Sequence, residues 1–312
     1  MKKLYKCKIC NHKKIYKIFK QIDKNLGVPG NFRIFKCEKC KVIFLNPLPE
    51  KKDWIKYYPK ERYYSLSKID TSSLKTKLKI FIFKINSENK FILLKLFFWP
   101  ISTFFRGIEK RGKRILDIGC GSGQFLFETK QIGFEVYGIE PGGFNSQEAI
   151  NLGIKISKGT IEESEFPKEY FDIITMNHVL EHLEDPKKVL KIVKKILKKD
   201  GTLVMGLPNT NSLAFKIFKK NWYQLDVPRH LFNYSTETLN ILLKKEGFII
   251  KKIRYNSRPS QFSVSLEYFL NLKNKFLEKF LEGIFLIPTY ITNVLRISDQ
   301  IEVYCVRDKD LN

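Results

Sequence analysis

The stretch RILDIGCGSGQFLFETKQIGFEVYGIE, residues 114–140, decides the fold. Arg114 to Ile118 reads as a short buried strand, followed at once by Gly119, Gly121 and Gly123, then by an amphipathic helix and a second strand ending on Glu140. Glycines at a strand-to-helix turn let the backbone approach a ligand, and the open helix start favours electron-rich groups. A carboxylate about 20 residues further on is placed to accept hydrogen bonds from a ribose. The unit therefore predicts a site for a nucleoside-bearing cofactor. A dinucleotide fingerprint needs its third glycine where Gln124 stands. Asp117, placed inside the turn, would repel a pyrophosphate and attract a positively charged cofactor.

The 312 residues can hold one large domain with small attachments, and a hydrophobic content of 43% is normal for a chain that buries a core. The formal charge of +25 has two readings. One is a nucleic-acid or anionic-membrane partner. The other is a compositional bias, since lysine is scattered over nearly every segment beside abundant Ile, Asn and Phe. Lys2, Lys3 and Lys6 lead into cysteines rather than an apolar run, so no secretory signal pattern is read. The expectation is a cytoplasmic chain, with peripheral contact at the inner face of the membrane left open.

Four of the six cysteines form two C-x-x-C pairs, Cys7/Cys10 and Cys37/Cys40. Each pair can present two thiolates from one tight turn, and two such turns complete a tetrahedral zinc site. A reducing compartment disfavours the alternative of disulfides. Asn11 and Lys41 occupy the knuckle positions where glycine is frequent; Asn tolerates left-handed backbone and Lys does so less well. Cys120 and Cys305 read as packing residues, Cys120 also lying in the glycine turn.

Three segments follow. Residues 1–45 make a zinc ribbon, residues 46–112 a linker and helical cap, and residues 113–309 an α/β domain with a helical insertion at 262–297. Within 46–112, the apolar and basic stretch around Lys95–Arg106 is too short to span a bilayer and is broken by Pro100, leaving a cap over the active site or an interfacial helix. The insertion, with GIFLIPTYITNVLRI broken by Pro288, reads as a lid or a lipid-facing surface. Strands are expected near 114–119, 135–140, 155–158, 171–177, 201–207, 248–255 and 300–307. A helix is expected over 235–246, with Ser235 as N-cap and Gly247 as stop.

The run Asp117-x-Gly119-x-Gly121-x-Gly123 followed by Glu140 resembles class I S-adenosylmethionine-dependent methyltransferases of type 11/23. The resemblance is strong over 113–209 and moderate elsewhere. It implies a Rossmann-like seven-stranded sheet with an antiparallel last strand. It also implies S-adenosyl-L-methionine as cofactor, its methionine and ribose against the glycine turn and its ribose hydroxyls on Glu140. Cys120 and Asn177 join this expected lining. Many relatives carry Asp where Thr160 stands; the weaker acceptor moves the expected adenine contacts to the backbone near Ile161.

Methyl transfer to a hydroxyl or carbon acid needs an aligned acceptor and a base. His178, after the fourth strand, is a candidate base or a wall beside the sulfonium, whereas His182 reads as structural. The segment WYQLDVPRHLFNYS (222–235) resembles the W-x-x-x-D-x-P-R-H run of glycan- and small-molecule methyltransferases. There Arg229 is a candidate clamp for phosphate or carboxylate and His230 the favoured general base; an Asp226–Arg229 ion pair that merely holds the loop is the plainer reading. A divalent-metal motif, E-x-x-E-H, is matched by Glu181 and His182, with His178 in place of its first Glu. The expected acceptor is a sugar, nucleotide-sugar or other cell-envelope or small-molecule precursor, by analogy. An RNA-modifying or RNA-binding protein and a non-catalytic scaffold are the alternatives. Asn177-His178-Val179-Leu180 lacks the N/D-P-P-Y/F run of nucleobase amino-methyltransferases, which makes nucleic acid the less favoured partner.

Overall fold

Alternating and continuous apolar runs form eleven strands among the described residues. These are β1 (Ile15–Gln21), β2 (Phe32–Cys37), β3 (Ile43–Leu45), β4 (Arg114–Ile118), β5 (Glu135–Glu140), β6 (Lys155–Lys158), β7 (Phe171–Asn177), β8 (Leu197–Pro208), β9 (Phe232–Asn233), β10 (Phe248–Tyr255) and β11 (Gln300–Arg307). The computed structural model describes residues 1–50, 53–58, 68–87, 112–142, 146–272 and 274–308. The expected cap segment around Lys95–Arg106 lies outside them.

Seven strands make one Rossmann-like sheet in the order β10-β11-β8-β7-β4-β5-β6. The strands from β6 to β8 are parallel neighbours, and β11 runs antiparallel to both β8 and β10. All seven fall where the sequence places them, save that β8 begins at Leu197, where Leu197 pairs with Phe171. From β4 the chain winds outward through β5 to β6, then returns to the far side of β4 as β7. Ligands in such sheets bind at this reversal, outside the carboxyl ends of the strands.

Helices α1 (Trp54–Tyr57), α2 (Leu74–Ser87), α3 (Gln124–Lys130), α4 (Ser146–Asn151), α5 (Pro186–Ile196) and α6 (Leu213–Phe218) precede α7 (Thr236–Lys245). Asp185 starts α5 by accepting the Lys188 N–H, with Pro186 at the first turn; Val189, Leu190, Val193 and Ile196 then fall on one buried face. Ser235 caps α7 in the same way through the Thr238 N–H, and Gly247 follows it with φ +78°. Between β10 and β11 the insertion consists of α8 (Ser260–Leu270), α9 (Lys275–Ile284) and α10 (Leu286–Val294). None of the helices in the described residues is long and apolar enough to cross a membrane.

The cysteine module does not stand apart from the α/β domain. Its sheet, in the order β1-β2-β3-β9, takes its last strand from residues 232–233. Phe44 pairs and stacks with Phe232, Leu45 N–H donates to Leu231 O, and the Thr238 hydroxyl donates to Cys40 O. One apolar core runs from Cys7, Ile9 and Phe44 through Phe232 and Leu239 to Leu203 and Val303. A boundary at residue 45 therefore marks the end of a strand in the chain but cuts through a shared sheet and core.

Candidate active site

Three features meet at the reversal of the sheet: the glycine turn after β4, Glu140 at the end of β5, and Asn177–His178 at the end of β7. Gly119, Gly121 and Gly123 have φ of +69°, +57° and +88°. A Cβ on Gly119 would lie 2.6 Å from Val179, and one on Gly123 would lie 2.9 Å from Ile156. Gly121 has nothing within 4 Å, so it is the glycine that faces open space. Packing thus leaves no room for a Cβ at two of the three glycines, while the middle one borders open space.

Glu140 is buried beside this turn. Its Oε2 accepts the Gly121 N–H and its Oε1 accepts the Gly142 N–H, both at 2.8 Å. Each carboxylate oxygen has two acceptor positions, so one on each remains for a pair of hydroxyls. Burial pushes the Glu140 carboxyl up, while the two backbone donors oppose that shift. Asp117 lies within β4, buried under the turn rather than inside it, and its carboxylate accepts the Thr175 hydroxyl of β7. Cys120 is half-buried in the turn with Sγ against Gly138 of β5. Gln124 pairs with the backbone of Asp70 through both amide ends, at 2.7 and 3.1 Å, tying the chain before α2 over the start of α3.

Thr160 and Ile161 follow β6, on the far side of Glu140. The Thr160 N–H donates to Glu163 at 2.9 Å and Ile161 is buried. At the end of β7, the Asn177 side chain stands over Gly206, where a Cβ would come within 2.2 Å of its Oδ1. His178 is left-handed, φ +54°, and its N–H donates to Gly206 O. Its imidazole is 30% exposed, and Nδ1 lies 3.0 Å from Oε1 of the fully buried Glu181. Burial would raise the Glu181 carboxyl, yet the His178 hydrogen bond and the potentials of His178, His230 and His182 hold it at about 2.

The His230 imidazole is buried and faces that of His182, ring centroids 4.7 Å apart. Nδ1 of His230 lies 2.7 Å from Gln224 O, and Nδ1 of His182 lies 3.0 Å from Arg229 O and 2.9 Å from the Tyr58 hydroxyl. A carbonyl only accepts, so both Nδ1 atoms carry hydrogen, and Nε2 of His230 lies 3.9 Å from Asp226 Oδ2. One ligand atom from each of Glu181, His182 and His230 lies within 4.8 Å of the others, and Glu181 Oε2 is buried without a hydrogen-bond partner. The structure thus joins Glu181 and His182 to His230, not to His178, as a possible ligand set.

Arg229 requires a correction. It is buried, and all five of its N–H groups are taken: Nε by Asp226, Nη1 by Asp23 and Tyr57 O, and Nη2 by Asp23 and Asp226. No donor is left for a phosphate or carboxylate ligand, so the expected clamp is instead a bolt between the cysteine module and the 222–235 segment. Asp23, separated from Arg229 by 206 positions, carried no sequence signal for this; Glu181, three positions after His178, carried one in its spacing.

In the cysteine module, Cys7 Sγ is 3.6 Å from Cys40 Sγ and Cys10 Sγ is 3.5 Å from Cys37 Sγ, all four within 4.8 Å of one another. Thiolates at tetrahedral zinc stand ~3.8 Å apart, so the set fits that ion. Asn11 and Lys41 both take left-handed backbone, φ +64° and +62°, and each N–H closes a turn onto Cys7 O or Cys37 O. Lys41 therefore adopts the knuckle geometry despite its side chain.

Against known proteins, the family model described as methyltransferase domain matches residues 94–252. The chain is 34% identical over 158 residues to a ubiquinone biosynthesis O-methyltransferase of Bradyrhizobium diazoefficiens, covering 44% of this chain and 62% of that protein. It is 31% identical over 124 residues to the protein of that name from Proteus mirabilis, covering 37% of this chain and 47% of that one. It thus spans about half to three-fifths of these relatives' length. A solved SAM dependent methyltransferase from Archaeoglobus fulgidus is 23% identical, with a TM-score of 0.43 over 73% of this chain and 99% of that one.

Proposed function

The chain belongs to the methyltransferase-domain family, and from that premise we propose that it moves the methyl group of S-adenosyl-L-methionine onto an oxygen or carbon of a small acceptor. The observation that carries the cofactor is the buried Glu140, pinned by Gly121 and Gly142 with one acceptor position on each oxygen still open. Vicinal ribose hydroxyls match that pair. Gly121 supplies the open backbone surface against which the rest of the cofactor lies, and the resemblance supports Gly119, Gly123, Cys120, Thr160, Ile161 and Asn177 as its surroundings.

Held by Glu140 and the Gly121 backbone, S-adenosyl-L-methionine would supply a sulfonium methyl for in-line transfer, and the task left to this chain's own residues would be to align the acceptor and take the proton it gives up. We assign the base to His178. Its ring is the more open of the two candidates, and Glu181 holds Nδ1 as the donor end, leaving Nε2 to take the proton. His230 is less suited to that role because its side chain is 6% exposed, against 30% for His178. The acceptor class we favour is a sugar, nucleotide-sugar or other cell-envelope precursor, supported by the cysteine module joined to the W-x-x-x-D-x-P-R-H segment. The curated relatives' names offer an acceptor of ubiquinone biosynthesis as the rival; they match this chain over less than half its length.

A second reading follows from the Glu181–His182–His230 set: a divalent cation held by Glu181 Oε2 and two Nε2 atoms. Metal counting separates it from the first, with two ions per chain if both sites fill and one if only the cysteines do.

The test is labelled S-adenosyl-L-methionine with fractionated metabolites, lipids and RNA, followed by mass identification of the methylated product. Glu140→Ala should weaken cofactor binding at least tenfold, two lost hydrogen bonds to an ionised group being ample for that. Unchanged affinity in Glu140→Ala would refute the cofactor assignment. A methylated RNA or ubiquinone precursor would replace the acceptor class, and no cofactor binding at all would leave a scaffold.

A further inference from the structure

Helix α10 is built inside out. Its buried positions are Thr289, Thr292 and Asn293, whereas Ile287, Ile291 and Leu295 point outward, Ile287 being 69% exposed. Two of the inward polar groups are satisfied, Thr292 Oγ1 accepting from Gln261 and Asn293 exchanging two hydrogen bonds with the Ser257 backbone, whereas Thr289 Oγ1 is buried without a hydrogen-bond partner. Helix α9 continues the outward apolar face at four-residue spacing with Phe276, Phe280 and Ile284, Phe276 being 82% exposed. Exposed apolar residues in such regular rows differ from the singly scattered ones of ordinary protein surfaces.

Charge narrows what can cover it. The acids of α9, Glu278 and Glu282, are half-buried and turn toward Glu267 of α8, whose carboxyl is pushed up by burial first and by these two neighbours next. Among the described residues of α9 and α10 the outward face therefore carries no acid, and its charged neighbours Lys279 and Arg296 are exposed. Lys216, Lys219 and Lys220 are also exposed, on α6 and the turn after it, two elements that pack on α8. The whole chain is +25. A second copy would bring a like-charged rim against this one, whereas anionic lipid headgroups complement it.

We propose that the outer face of α9 and α10 docks on an anionic lipid bilayer, with Phe276, Phe280, Ile284, Ile287 and Ile291 in the headgroup–acyl boundary and Lys279 and Arg296 on the phosphates. This is the arrangement of an interfacial helix, which lies in the membrane plane rather than crossing it. It goes beyond the methyl-transfer reading and does not depend on it.

The experiment is co-sedimentation of the full chain with phosphatidylcholine vesicles, with and without phosphatidylglycerol. Binding should require phosphatidylglycerol and weaken as salt is raised. Phe276→Glu/Ile287→Glu should lower vesicle binding at least about tenfold while leaving S-adenosyl-L-methionine affinity and Tm unchanged, because both side chains are exposed. Ile287→Trp should show a blue-shifted emission that brominated lipids quench. Failure to bind the anionic vesicles, equal binding by the double variant, or an unquenched tryptophan overturns the proposal. So does a drop of several degrees in Tm, which would mean that the chain covers this face itself. A dimer in light scattering that the same variant dissolves would reassign the face to self-association.

Discussion

Asp23→Asn tests whether Arg229 is a structural bolt. The substitution keeps the shape, removes the charge, and turns one acceptor oxygen into an NH₂ group. That group must face either the Arg229 Nη1 and the Val28 N–H, or the Arg229 Nη2 with the N–H groups of Asn25 and Leu26. Arg229 and Asp23 are 4% and 1% exposed, so no water can take over. Disrupting a buried, hydrogen-bonded pair of this kind costs about 3–5 kcal/mol. With unfolding entropy near ~2.1 cal/mol/K per residue, a chain of this size should lose about 5–8 °C of Tm. Calorimetry on Asp23→Asn, Arg229→Met and the double variant gives the coupling, which should be at least about 1.5 kcal/mol for two groups in direct contact. The bolt is refuted if Asp23→Asn melts within about 2 °C of the native chain. It fails equally if Arg229→Met leaves Tm unchanged while raising KM for the acceptor, which is the behaviour of a clamp.

The glycine turn and the core acid Asp299 offer two more tests. Gly121→Ala places a methyl group in open space at φ +57° and should raise the cofactor Kd tenfold or more while costing only about 1–2 kcal/mol of stability, whereas Gly119→Ala, colliding with Val179, should lower Tm further; titration calorimetry and melting curves separate the two effects. Asp299 is fully buried and accepts hydrogen bonds from Ser257 and Trp222, yet burial outweighs these and lifts its carboxyl to about 6. Its folded value exceeds the unfolded one, so the native state binds the extra proton. Stability contributed there should fall as pH rises from about 4 to 6, and the penalty is fully present above that window. Relative to the native chain, Asp299→Asn should therefore gain on the order of 2 kcal/mol between pH 4.5 and pH 8 in denaturant titrations; a constant difference across that range would rule out the raised value.

Much of the fold was legible because its signals are local. Strands β4, β5, β7 and β10 are short runs rich in apolar residues that end at or next to Gly119, Pro141, Asn177 and Asn256, and Ser235 and Gly247 bracket α7 by rules that act within one turn of helix. The cofactor side was equally legible, since a strand, three glycines and an acid at the next strand end are bound together by spacing alone. His178 with Glu181 was half legible: the three-residue spacing was there, but only the turn at φ +54° aims the ring outward while Glu181 goes inward.

The sequence by itself determined the sheet, the glycine turn, Glu140 and the four cysteines, because each depends on residues within about one supersecondary unit. The tertiary structure alone decided what Arg229 does, because its second partner, Asp23, arrives from the other end of the chain. It alone decided that residues 232–233 complete the cysteine module's sheet, and that Gln124 holds the segment before α2. It also decided which side of α10 faces out: periodicity shows that a helix has two faces, but the inward choice of Thr292 and Asn293 was made by the buried hydrogen-bond partners waiting on α8 and the Ser257 loop.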